Sequence, residues 1–145
     1  MGEIDLSRIR ITSLKRISVD GGDVLHAIKR TDEEFVGFGE AYFSMVEAGA
    51  VKAWKLHRQM TLNLVVPIGE VRFVFFSDSG KARREESIGV SNYCRLTVPP
   101  GIWFGFQGLA EHSSLILNVA SIPHDPDEVE RKSQEEIEYA WETGK

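Results

Sequence analysis

Residues 49–70, GAVKAWKLHRQMTLNLVVPIGE, decide how this chain is to be read. Two strand-length runs, 51–56 and 61–66, flank a basic turn, and the second run is almost entirely β-branched or leucine. Such side chains fit a pleated, half-buried surface better than a helix. Pro67-Ile68-Gly69-Glu70 is a tight turn, and VRFVFF at 71–76 follows it at once with very high strand propensity. No helical segment separates these strands, so an α/β layering is excluded.

Outward from this centre the same rhythm continues. Toward the N-terminus, Ile9, Ile11, Leu14 and Ile17 alternate with polar residues as an edge strand with a slip in its middle. Asp20-Gly21-Gly22-Asp23 is turn chemistry, 24–29 reads as the returning strand, and GFGEAYFSM at 37–45 as a strand entering the core. Toward the C-terminus, Asp78-Ser79-Gly80 turns, and 81–86 reads as a charged, solvated loop. Strands are expected at 88–93, 94–98, 102–106 and 115–120, with Pro99-Pro100-Gly101 ending one run. From Ser133 the period becomes helical, with Ile137, Ala140 and Trp141 on one face and Glu135, Glu136 and Glu138 outside. The expectation is an all-β protein: one domain over 1–145, an antiparallel jelly-roll barrel or sandwich with a short C-terminal helix.

Composition narrows the function. At 145 residues, with 42% hydrophobic and 27% charged residues, the chain has a soluble, globular balance. Its formal charge of −5 disfavours general polyanion or nucleic-acid binding, so any phosphate recognition rests on a local basic cluster. The single cysteine, Cys94, excludes an internal disulfide and fits a reducing compartment. MGEIDLSRIR is unlike a secretion signal, and every apolar run is shorter than a membrane span, so the expected location is the cytoplasm.

Alternation along 51–57 points Lys55 and His57 to one face, with Lys52, Trp54 and Leu56 on the other. If Thr61 and Asn63 share the interior with Lys55 and His57, the four form a polar pocket in an apolar shell, as small-ligand sites do. A neutral lysine or imidazole there could take an acidic proton beside a ketone. The same pair at a strand end facing solvent would have no chemistry. Lys52 and Arg58 could meet a diphosphate, and Trp103, Phe104, Trp54 and Tyr42 could stack on a base or sugar. The alternative for each aromatic is ordinary core packing. No metal or cofactor is expected: Lys55 occupies the first place of the spacing a His-x-His pair would need, and His26, His112 and His124 lie in separate segments. Cys94 has no adjacent histidine and reads as an inert thiol.

Residues 49–71, VPPGIWFGF at 98–106 and NVASIPHDPDE at 118–128 together resemble the cupin-fold dTDP-4-dehydrorhamnose 3,5-epimerase family. The chain is also similar to the dTDP-sugar 3,4-ketoisomerases, whose R-G-x-H-A-H-K strand lies over 52–58. The resemblance implies a small jelly roll, commonly dimeric, that binds a nucleotide-linked 4-keto-6-deoxyhexose in its mouth. It puts the family's phosphate-binding arginine at Lys52, its base histidine at Lys55 and the second histidine at His57. It departs from the pattern at Phe104 (for a histidine), near Leu117 (for a tyrosine) and at Gly22 (for an arginine). The expected function is therefore a sugar-nucleotide epimerase or isomerase in deoxysugar or polysaccharide biosynthesis. Lys55 and His57 would move protons, Tyr42 would replace the missing acid, and Lys52, Arg58, Thr61, Asn63, Trp103 and Phe104 would bind substrate. The alternative is a binding-only cupin that has lost this machinery, with a metal-dependent cupin as a third reading. A homodimer joined sheet to sheet is expected, with 71–76 as a flat apolar candidate.

Overall fold

The computed structural model describes residues 3–143 and is built mainly from antiparallel strands. In chain order these are β1 (Arg10–Ser13), β2 (Arg16–Ile17), β3 (Val24–Leu25), β4 (Glu40–Val46), β5 (Val51–His57) and β6 (Leu62–Ile68). Then come β7 (Glu70–Phe76), β8 (Arg83–Gly89), β9 (Cys94–Val98), β10 (Trp103–Gly108), β11 (Ser114–Ala120) and β12 (Val129–Arg131). Two five-stranded sheets, ordered β1-β9-β6-β11-β4 and β12-β5-β10-β7-β8, pack as the expected jelly roll, while β2 and β3 pair separately. No helix among the described residues is long and apolar enough to cross a membrane.

The inner faces meet in one core. Leu62, Leu64, Val66, Leu96 and Ile116 come from the first sheet, and Val71, Phe73, Phe75, Ile88 and Phe104 from the second. The turn between β6 and β7 depends on Gly69, whose φ of 91° lies in the left-handed region. A Cβ there would also lie 2.1 Å from Ser114 Oγ.

Each sheet is also covered on part of its outer face. On the first, Arg95 is buried; its guanidinium donates to Ala27 O at 2.7 Å and Glu34 at 2.8 Å, tying the 26–35 loop down. On the second, Trp54, Leu56, Val74, Phe76 and Trp103 form a separate cluster, packed under Ile137, Tyr139 and Trp141.

That covering segment corrects the expected C-terminal helix. Only Gln134–Glu136 forms a 3₁₀ turn, closed by a capping box between Ser133 and Glu136. Beyond it Ile137, Tyr139 and Trp141 reach the sheet at a period of two, so the segment lies extended. The expected loop at 81–86 is also overturned, because β8 begins at Arg83. Its alternating charges suit an edge strand, which repels further pairing. Finally, 71–76 is a buried strand hydrogen-bonded on both sides, by β8 and β10, and has no free edge or face for a second copy.

Candidate active site

The sheets enclose a cavity of about 400 Å³. Its depth is apolar: Leu62, Leu64 and Ile116 from the first sheet face Phe73, Phe104 and Phe106 from the second. Tyr42 and Asn118 line it from the first sheet. Lys52, Lys55, His57, Arg131 and Lys132 line it from the second sheet and the residue after β12.

Lys55 and His57 come together here because they are two residues apart on β5, on the face toward the cavity. Lys52 joins them by a different route. Between Phe104 and Gly105 the β10–β5 register shifts, so that Lys55 pairs with Phe104, Gly105 with Ala53 and Lys52 with Phe106. The inserted residue restores Lys52 to the cavity face, where unbroken alternation had put it on the opposite one. Lys52 Nζ donates to Met45 O at 2.8 Å, linking β5 to β4.

His57 is 6% exposed, and its ring stacks on Phe104 with centroids 6.1 Å apart. Nδ1 lies 2.5 Å from Glu128 Oε2, while Glu128 Oε1 accepts from the amides of Gln59 at 2.8 Å and Met60 at 3.1 Å. Burial holds the His57 imidazolium below its ordinary value, against the opposing pull of the Glu128 hydrogen bond and charge. Burial pushes the Glu128 carboxyl up, but the bonds from His57, Gln59 and Met60 outweigh it and leave the group below the usual carboxylate range. An ionised Glu128 can only accept, so Nδ1 carries the ring proton and the neutral imidazole keeps its lone pair on Nε2. Nε2 has no protein partner among the described residues.

Burial, and then the charges of Arg131 and Lys52, lower the Lys55 ammonium from its ordinary value. Arg131 pairs with Lys55 and Val129 with His57 across the β12–β5 ladder. Lys52, Lys55, Arg131 and Lys132 form no ion pair among the described residues. Lys132 instead sets its Nζ 4.6 Å over the Trp103 ring. No three His, Cys, Asp or Glu side chains among the described residues converge as a metal site would require.

Four expected substrate contacts lie elsewhere. Asn63 faces away from the cavity, where Thr97 Oγ1 donates to its Oδ1 at 2.5 Å and its Nδ2 donates to Glu34 O at 3.1 Å. β6 is buried on both faces, so its near-continuous apolar run does not reveal that Leu62 and Leu64 are the inward set. Thr61 precedes the strand; its N–H donates to Ser121 Oγ at 2.8 Å and its carbonyl accepts from the Ser121 N–H at 3.1 Å. Arg58 is engaged outside by Glu130 and Asp78. Trp103 faces the outer cluster and donates Nε1 to Asp78 at 3.2 Å.

Sequence reasoning passed over Glu128, Arg131, Lys132 and Asn118. Glu128 ends the quoted NVASIPHDPDE segment, and a carboxylate just after turn residues was the available signal. Arg131 and Lys132 end the charged run DEVERK at 127–132, which carries no pattern that marks a site.

No family model matches the chain. Among solved structures it is similar to a dTDP sugar isomerase from Desulfovibrio desulfuricans G20, with 34% identity, 92% of this chain and 90% of that one covered, and a TM-score of 0.87. The chain belongs to the dTDP-sugar isomerase family. Among curated relatives, this family member is 23% identical to the spore coat polysaccharide biosynthesis protein SpsL of Bacillus subtilis, over 93% of this chain and 95% of that one. A 3,5-epimerase from Legionella pneumophila, solved with dTDP-4-keto-L-rhamnose, shares the fold at 15% identity and a TM-score of 0.81, with 99% and 84% covered. The kinship read from 49–71, 98–106 and 118–128 thus holds at family level.

Proposed function

We propose that this dTDP-sugar isomerase family member moves protons at carbons beside the keto group of a nucleotide-linked 4-keto-6-deoxyhexose. One observation carries the reading: a base-ready His57, fixed by Glu128, lines an apolar cavity where Lys52, Lys55 and Arg131 form no ion pair among the described residues. The diphosphate lies against Lys52 and Arg131, which offer charge-assisted donors that the protein itself does not neutralise. The sugar enters the apolar depth. His57 Nε2 takes the proton from the carbon next to the carbonyl, and the Lys55 ammonium faces the negative charge that builds on the keto oxygen. Tyr42 belongs to the sheet opposite His57 and supplies a proton from the other wall. A base and an acid on facing walls suit an exchange of configuration.

Deuterium uptake from D₂O into dTDP-4-keto-6-deoxyglucose tests this. Wild type should incorporate deuterium at the carbon beside the carbonyl, and His57→Ala should bind TDP yet incorporate none. Equal uptake by both proteins would refute the assignment. We further propose a cytoplasmic homodimer, supported by the unpaired Cys94 and by the exposed Phe43 and Met45 on edge strand β4. A monomeric mass by light scattering would dismiss the dimer.

A further inference from the structure

Asn118 and Tyr42 sit opposite each other across the β11–β4 ladder, and Asn118 Nδ2 donates to Tyr42 Oη at 3.0 Å. The other end of the same amide is committed, because the backbone N–H of Asn63 donates to Asn118 Oδ1 at 3.2 Å. Asn63 cannot readily shift, since Thr97 and the Glu34 carbonyl hold its side chain. Asn118 itself is 3% exposed. A buried amide with one end claimed by a fixed N–H has only one sensible orientation: oxygen toward Asn63, nitrogen toward Tyr42. The phenol oxygen therefore accepts, and its own hydrogen has no protein acceptor among the described residues.

We propose that Asn118 is a positioning residue that turns the Tyr42 hydroxyl proton into the cavity, toward the bound sugar. This rests on the reading of Tyr42 as the acid opposite His57. The donated N–H leaves Tyr42 one productive role, as a donor. It also meets the negative charge that forms on the phenol oxygen once the proton has left, without any reorganisation. A carboxylate at position 118 reverses the polarity: it still accepts from Asn63 N, but it also accepts from Tyr42 and draws the proton out of the cavity.

Asn118→Asp tests this with two readouts. In protein labelled with ¹³Cζ-tyrosine, the chain's three tyrosines give three signals, and Tyr42→Phe identifies one by its loss. Asn118→Asp should move that signal and leave those of Tyr93 and Tyr139 in place; an unmoved signal overturns the proposal. In the exchange assay, Asn118→Asp should lower kcat on the order of 100-fold with KM within about threefold, as expected for one misplaced donor. In a Tyr42→Phe background the same substitution should cost less than about threefold, because the group it acts through is gone. Equal losses in both backgrounds would show a merely structural role and overturn the proposal. Absence of exchange in wild type would count against the functional reading, while the tyrosine signal would still decide the orientation of Tyr42.

Discussion

Replacing Glu128 by glutamine separates the chemistry of the His57–Glu128 pair from its architecture. Glu128 accepts three hydrogen bonds, two of them from backbone amides at Oε1. In Glu128→Gln the amide oxygen keeps both backbone bonds, and the new Nε2–H₂ faces His57 Nδ1. A neutral imidazole can satisfy that donor only by making Nδ1 the acceptor, which moves its proton to Nε2, the atom that must be empty to act as base. A ring flip is not a cheap escape, because it would turn a C–H toward the new N–H₂ and leave that buried donor unsatisfied. The full contribution of a positioned base, about 10²–10⁴ in rate, is then at stake, or roughly 3–5 kcal/mol of barrier at about 1.36 kcal/mol per decade. Stability should fall less, by about 1.5–3 kcal/mol for one lost charge-assisted bond. TDP affinity should hold, because the cations are untouched. Deuterium uptake, thermal unfolding and TDP calorimetry on one preparation measure all three. Uptake within threefold of wild type would refute the assignment of His57 as a base oriented by Glu128.

Alanine at Lys52 or Arg131 should weaken TDP binding about tenfold each, about 1.4 kcal/mol. Arg58→Ala should leave TDP binding unchanged and cost less than about 1 kcal/mol of stability, because its ion pairs are exposed; calorimetry that ranked Arg58 with the other two would contradict the cavity boundary. Lys55→Met removes a half-buried cation crowded by Lys52 and Arg131, so Tm should rise while exchange is lost; a lower Tm would count against that electrostatic account. Gly105→Ala would put a Cβ 2.6 Å from that of Ala53 at the register shift, destabilising the protein by about 1–3 kcal/mol, and denaturant unfolding checks it. Acid titration has a definite sign: His57 and Glu128 both titrate lower folded than unfolded, so the native state binds fewer protons and stability is full above about pH 6.5. It should fall as pH drops through the folded His57 value and again through the carboxylate range, and a midpoint independent of pH below 6.5 would contradict the pair.

The barrel was legible because its signals are local. Gly69 and Gly80 lie in turns, and the apolar run at 71–76 is a strand that needs no distant partner to be recognised. Lys55 and His57 were visible as a pair for the same reason, since a spacing of two is a fact about one strand. The misreadings share a different cause. Lys52 was assigned to the wrong face because the register shift depends on β10, some fifty residues away. Asn63 was turned inward because a strand buried on both sides shows no alternation. The C-terminal segment fits a helical face through Ile137, Ala140 and Trp141 as well as a two-residue period through Ile137, Tyr139 and Trp141; only the outer cluster selects the second. Glu128 lies 71 residues from His57, and no local pattern joins them.

The distribution of positive charge draws these strands of reasoning into one physical picture. Outside the cavity, Arg58 just after β5 and Arg72, Arg83 and Arg84 on the second sheet each face a carboxylate, so their fields are spent locally. On the cavity wall, Lys52, Lys55 and Arg131 have no such partner among the described residues, although the chain as a whole carries a charge of −5 and has acidic residues to offer. Burying Lys55 beside Lys52 and Arg131 works against the folded state, and its lowered ammonium value is the mark of that opposition. Such an arrangement is costly unless an anion completes it, and the proposed diphosphate would restore the missing counter-charge without a protein carboxylate that would compete for the same donors. In the proposed function, charge at the mouth would hold the nucleotide end and the leucines and phenylalanines would exclude water from the sugar end, while His57 stays neutral because burial outweighs the pull of Glu128.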